Sequence, residues 1–152
     1  MKVAVASDHA GFPLKDTILE TIRKAGHEAI DLGTNSSASV DYPDFAEKAG
    51  RAVQRGEADR AIVICGSGVG AAVAANKMLG VRAGLCHDTY SAHQCVEHDD
   101  VNVLALGARI IGPEVAIEVV RAFLAAKFSG EERHVRRLNK VLAIERSEAA
   151  RK

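Results

Sequence analysis

Residues 61–70 read Ala61-Ile-Val-Ile-Cys65-Gly-Ser-Gly-Val-Gly70, an unbroken apolar run that stops at a cysteine and opens into alternating glycines. Strands half-exposed to water alternate apolar and polar residues, whereas strands covered on both faces read as continuous apolar runs. The run at 61–65 is therefore expected to be a central parallel strand, and Val103-Leu-Ala-Leu106 repeats the pattern. Working outward, further short runs at 3–6, 27–32, 81–86 and 102–106 give five candidate strands. Longer stretches of helical period separate them. One begins near Pro13, carries Leu14, Ile18, Ile22 and Ala25, and stops at Gly26; another runs from Pro43 to Arg55 before Gly56. Others are expected at 69–78 before Gly80, at 89–97, and at 113–128, where Val115, Val119, Val120 and Phe123 precede Gly130. Proline in a first turn and glycine past a last turn are the usual helix boundaries. Strand and helix alternate, which predicts a doubly wound, Rossmann-like α/β/α sandwich with a five-stranded parallel sheet and an extra C-terminal helix from about Glu132. In such sheets ligands sit beyond the carboxyl ends of the strands, where the strand order reverses.

The chain has 152 residues, enough for one domain over 1–152 and too few for separate catalytic and cofactor domains. With 47% hydrophobic and 26% charged residues it should bury its own core. Twenty basic residues balance twenty acidic ones, but seven of the basic and only four of the acidic lie from Glu131 onward. A neutral body with a basic tail does not suit nucleic acid; it suits a small anion or a neighbouring subunit. The odd cysteine count, Cys65, Cys86 and Cys95, and an N-terminal apolar run broken at Asp8 and His9 predict a cytoplasmic protein. No segment has the roughly 18 apolar residues that span a bilayer.

The loop from Gly66 to Gly70 leaves a buried strand and opens a helix, so its amides, with Ser67, Gly68 and Val69 between them, can face an anion or oxyanion. As a dinucleotide motif it is imperfect, although a nucleotide-binding regulatory module stays open as an alternative. Cys65 sits where a helix N-terminus favours a thiolate, making it a candidate base or nucleophile against the plainer reading of a buried thiol. A phosphatase loop would need arginine where this chain has Ala71. Asp8 and His9 follow the first strand into the ligand crevice. His98, between Glu97 and Asp99 at a helix C-terminus, is a candidate for proton transfer. Cys86, His87, His93, Cys95 and His98 crowd together without zinc spacing, so no metal is expected. Arg133 and Arg137 are four apart on one helical face, a two-arginine clamp that can grip phosphate, beside an apolar stripe of Val135, Leu138 and Leu142.

Taken together, Ser7-Asp-His-Ala-Gly-Phe12, Asp41-Tyr-Pro43, Cys65-Gly-Ser-Gly-Val-Gly70, Ala74-Ala-Asn-Lys77, Tyr90-Ser-Ala92, Asn102-Val-Leu104, Gly107-Ala-Arg109 and Arg133-His134 with Arg137 resemble the type B ribose-5-phosphate isomerases. That group also holds allose-6-phosphate and galactose-6-phosphate isomerases. The resemblance implies aldose–ketose isomerisation through a cis-enediol, without metal or organic cofactor, in a homodimer or dimer of dimers with shared sites. It implies Cys65 as the base, Ser67 and the amides of Gly66 to Gly70 around the enediolate, and Asp8 and His98 in ring opening. Tyr42 would line the sugar, and His9, Arg109, Arg133 and Arg137 would hold the phosphate. One position departs: Asp99 stands where the family usually has asparagine, which bears on whether the sugar has five or six carbons.

Overall fold

The computed structural model describes residues 1–151. Along the chain lie β1 (Lys2–Ser7), α1 (Phe12–Lys24), β2 (Glu28–Asp31), α2 (Tyr42–Gln54), β3 (Arg60–Cys65), α3 (Val69–Ala75), β4 (Ala83–Leu85), α4 (Thr89–Asp99), β5 (Val103–Gly107), α5 (Pro113–Ala125) and α6 (Glu132–Ala149). The five strands form one parallel sheet in the order β2-β1-β3-β5-β4. The expected doubly wound sandwich is the observed one.

Three strands occupy the middle, and after their first residues β1, β3 and β5 are buried throughout. Alternate side chains feed two cores. Val3, Val5, Ile62, Ile64, Leu104 and Leu106 pack with α1, α4 and α5 around Phe123. Ala4, Ala6, Ala61, Val63, Cys65, Val103 and Ala105 pack with α2 and α3. The small residues on the second face let α3, itself alanine-rich, approach the sheet closely. The edge strands β2 and β4 are shorter and only half-buried, so the expected 27–32 and 81–86 shrink to four and three residues.

Three helices also end early. The expected 69–78 stops at Ala75, because Asn76 turns back and its side-chain amide pairs with the backbone of Ala83. The expected 113–128 stops at Ala125, where Arg60 takes the carbonyls of Phe123 and Ala126. The first helix closes at Lys24, and Ala25 is exposed as its cap. Val115, grouped by spacing with the buried face of α5, is 45% exposed. Position 115 lies in the first turn of α5.

At the carboxyl edge of the sheet, the turn into α1 presses onto β3. A Cβ on Gly11 would overlap the carbonyl of Ile64. Main-chain atoms of a central strand cannot move aside, so Gly11→Ala should cost about 1–3 kcal/mol through overpacking. At about 2–4 °C per kcal/mol for a chain of this size, thermal unfolding monitored by circular dichroism should show a Tm lowered by several degrees.

Candidate active site

A cleft of about 430 Å³ opens at the carboxyl ends of β1, β3 and β5, lined by Asp8, His9, Ala10, Tyr42, Cys65, Gly66, Ser67, Gly70, Arg109 and Ile110. The connection after β1 turns toward β2 while β3 continues to the other side, so the cleft lies at the reversal of strand order.

Asp8 is 6% exposed. Its Oδ1 accepts the amides of Ala10 and Gly11, both at 2.9 Å, so one carboxylate oxygen builds the turn into α1 and the other remains for the cleft. The Nδ1 of His9 lies 3.2 Å from the backbone of Val40, which fixes the ring and leaves Nε2 free. Val40 belongs to the loop 32–41, and that loop is pinned by Lys15. This lysine is 3% exposed, yet its Nζ meets Asp31 Oδ2 and the carbonyl of Thr34, both at 2.8 Å. A buried ammonium needs such partners. Here they also hold the segment that delivers Tyr42, whose ring stands where a Cβ on Gly70 would be 2.8 Å away.

Cys65 ends β3 at 5% exposed, and the amide of Gly68 donates to its Sγ at 3.1 Å. Gly68 has φ 80°, in the left-handed region that glycine adopts without strain, and this turn brings its amide back onto Cys65 Sγ. Ser67 Oγ accepts the amide of Val69 at 3.2 Å. The side chain of Val69 itself points outward, 51% exposed. Beside the loop, the amides of Ala108 and Arg109 bond to the carbonyls of Cys65 and Gly66, which sets Arg109 over the mouth of the cleft.

Gly68 and Val69 belong to the loop without lining the cleft, and His98, Asp99, Arg133 and Arg137 lie away from it altogether. α4 runs back from the carboxyl edge, so His98 and Asp99, in its last turn, reach the amino end of the sheet. β5 separates the two ends, about 16 Å for five residues. Arg133 and Arg137 join His98 and Asp99 at that end, because α6 packs there against α4. His134 stacks on His98 with ring centroids 4.0 Å apart, and the amide of Ser129 bonds to the carbonyl of Glu97. Arg133 is held by Glu131 at 2.9 Å; Arg137 is exposed. The polypeptide stops α4 after Asp99 by placing Asp100 at φ 50°, a conformation that non-glycine residues rarely adopt. Arg82 secures it through both the Asp100 carbonyl at 2.8 Å and Oδ2 at 2.7 Å. The expected site residues thus fall into two groups at opposite ends of the sheet.

Two residues escaped the residue-by-residue reading. His134 is 2% exposed, bonded to Ser129 at 2.6 Å, and burial, then the neighbouring His98, pushes its pKa below the usual histidine value. Only its i+1 and i−3 relation to Arg133 and Arg137 hints at it. His87 lies under the cysteine loop, where its Nε2 accepts the amide of Gly107 at 2.8 Å. A Cβ on Gly107 would be 2.5 Å from the carbonyl oxygen of Ser67, so His87 holds the strand end on which the loop rests. In the sequence His87 was weighed only as one of a group of cysteines and histidines without zinc spacing, which gave no sign of this role.

The family model for Ribose/Galactose Isomerase matches residues 3–141. The chain is 46% identical to ribose-5-phosphate isomerase B of Escherichia coli, over 95% of this chain and 96% of that protein. Among solved structures, ribose-5-phosphate isomerase B of Clostridium thermocellum superposes with a TM-score of 0.94 at 47% identity, covering 97% of this chain and 99% of that one. The type B ribose 5-phosphate isomerase of Trypanosoma brucei gives 0.92 at 47% identity, covering 94% and 97%.

Partial burial pushes the pKa of His87 below the usual histidine value, with Asp88 opposing. The unfolded chain therefore binds this proton more readily than the folded one. The stability His87 contributes is complete above its unfolded pKa of about 6.5 and is lost as pH falls below it. Urea unfolding should show a lower midpoint at about pH 5.5 than at about pH 7.5, and His87→Leu should flatten that dependence. An identical slope in the variant would show that His87 does not couple protonation to folding.

Proposed function

The chain belongs to the ribose/galactose isomerase family and is an aldose–ketose isomerase of sugar phosphates; on that premise we propose that it interconverts ribose 5-phosphate and ribulose 5-phosphate through a cis-enediol, with Cys65 as the base. The observation that carries this reading is the position of Cys65 Sγ. That Sγ accepts the Gly68 amide at 3.1 Å, and Cys65 lines the same cleft as Asp8 and Arg109.

Ribose 5-phosphate arrives mainly as a furanose. Asp8 accepts the proton of the anomeric hydroxyl while His98 assists the ring oxygen as the C1–O4 bond breaks. In the open aldose, the Cys65 thiolate takes the proton from C2. The C2–H electrons form the C1–C2 double bond, and the carbonyl pair moves onto O1. Ser67 and the amides from Gly66 to Gly70 face that oxygen, where pre-aimed donors stabilise developing charge. Cys65 then returns its proton to C1 while the C2 hydroxyl passes its own proton to O1 and becomes the ketone. Atoms and electrons balance without a redox partner, so the reading needs no cofactor. Tyr42 lines the sugar, and His9 and Arg109 hold the phosphate together with Arg133 and Arg137.

The last two arginines and His98 reach the cleft only from a second copy. We accordingly read the protein as a homodimer, alone or paired into a dimer of dimers, with each site made from the cleft of one subunit and the α4–α6 end of its partner. Apolar surface on both parts supports this. Tyr42, Val69, Tyr90 and Ile110 are exposed around the carboxyl edge, and Val135, Val141 and Ile144 are exposed along α6. Large uncovered apolar patches commonly mark association surfaces. The three free, buried cysteines suit a reducing compartment, and we place the enzyme in the cytoplasm.

Cys65→Ala should lose turnover by at least about a hundredfold, the lower end of what a positioned base contributes, while calorimetry still detects sugar-phosphate binding. His98→Ala should be defective toward ribose 5-phosphate. After subunit exchange, a mixture of the two variants should recover about a quarter of wild-type activity, because half the dimers are mixed and each carries one intact site. No recovery in mixtures proven to exchange would overturn the shared site. Asp99, exposed and acidic, favours a second reading, an allose or galactose 6-phosphate substrate. Comparing kcat/KM of wild type and Asp99→Asn across the three sugar phosphates decides it: ribose 5-phosphate should lead in both proteins, and a six-carbon lead in the wild type would replace the pentose.

A further inference from the structure

The imidazole of His98 is held on two sides by residues that have no part in the reaction as described. The side-chain amide of Gln94, one turn earlier on α4, lies 2.8 Å from Nδ1. On the ring face, His134 stacks at 4.0 Å with an interplanar angle of 25° and is itself anchored by Ser129. Nδ1 is occupied, the face is covered, and only Nε2 remains, 3.6 Å from Glu97 Oε2. A histidine in proton transfer works through one nitrogen, and the group bonded to the other decides which nitrogen that is.

We propose that Gln94 is a positioning residue for ring opening: it engages Nδ1 of His98 and so directs Nε2 at the sugar ring oxygen. The proposal rests on the reading of His98 as the ring-opening group. An amide suits this place chemically. It can donate its N–H to Nδ1 of the neutral ring or offer its oxygen to an Nδ1–H, so it holds the ring orientation whichever protonation state His98 passes through. A carboxylate at position 94 could only accept, and would confine the neutral ring to the tautomer with its proton on Nδ1. The same α4 turn is closed by the Arg82–Asp100 pair, so the backbone beneath both residues is fixed and the Gln94 side chain is what orients the ring.

Ring opening can be separated from enolisation by substrate. Ribulose 5-phosphate cannot close a five-membered ring, because its O5 carries the phosphate, and the exchange of its C1 hydrogen with solvent deuterium reports only the Cys65 step. Gln94→Leu should lower kcat for ribose 5-phosphate by about tenfold, in the range that misplacement of a reacting group costs, while C1 exchange into ribulose 5-phosphate, followed by proton NMR, stays within about twofold of wild type. Gln94→Glu should show the same split. In both variants, the two ring ¹⁵N shifts of His98 should depart from the wild-type pattern, a change that general loosening of α4 would not confine to this residue. If Gln94→Leu slows both assays equally, Gln94 is merely structural and the proposal falls. If His98→Ala impairs ribose 5-phosphate turnover but Gln94→Leu does not, the role of His98 stands and that of Gln94 is wrong. If His98→Ala leaves ribose 5-phosphate turnover intact, the reading of His98 fails and the proposal falls with it.

Discussion

Backbone meeting backbone at the carboxyl edge of the sheet is the constraint on which the cleft depends. Gly11 lies against Ile64, and Gly107 against Ser67, at distances that admit no side chain, while Gly68 turns the loop through a left-handed conformation. These contacts let three loops converge on one small volume with little room to shift. Because Cys65 pairs in register with Gly107, any displacement of β5 moves Cys65, the proposed base. His87 and Lys15 extend this rigidity outward, one bonding the Gly107 amide and the other tying down the loop that brings Val40 to His9. The reacting groups thus sit on strand ends and tight turns that cannot slide, which is what near-attack geometry demands.

Most of the fold was legible because the sheet is central and parallel. Continuous apolar runs at 61–65 and 103–106 mark strands with no solvent face, and glycine and proline mark the helix ends. Misreadings concentrate where local pattern yields to a tertiary partner. The expected extension of α5 past Ala125 is cut off by Arg60, sixty residues earlier, and that of α3 by the pairing of Asn76 with Ala83. Arg60 lies outside any local window of α5, and Ala83, though only 7 residues from Asn76, becomes its partner only once β4 is placed in the sheet. Strand β4 shrinks because it lies at an edge, where only one neighbour selects its length.

The candidate site was legible in a different way. Asp8, His9, Cys65 and Arg109 follow strand ends, and the doubly wound rule alone sends them to one cleft. Residues whose task is to hold others have no such rule. Lys15, His87, Gln94 and His134 look like ordinary helix or turn residues, and the partners that define them lie on other elements or are resolved only by rotamer. His98, Asp99, Arg133 and Arg137 were recognisable by type, yet the topology of one chain carries them to the far end of the sheet.

That separation has a chemical logic on the proposed reading. A 1,2-enediolate exposed to water can expel its C3 hydroxyl or take up a proton at the wrong carbon or face, so an isomerase site must close around the intermediate. The cleft of a single chain is open, and its surroundings expose the apolar side chains of Tyr42, Val69, Tyr90 and Ile110 beside Arg109. Among the described residues, loop 32–41, the one that brings Val40 to His9, is tied down by Lys15 and His9 rather than free to serve as a lid. In the proposed dimer a second subunit would cover the rim without ordering any loop and would bring further cations for a dianionic phosphate. Ring opening then draws on Asp8 from one chain and His98 from the other. Proton transfer at carbon draws only on Cys65 and its own loop. The step that admits the sugar is the one shared between subunits, and the step that must never be exposed to water is kept within one.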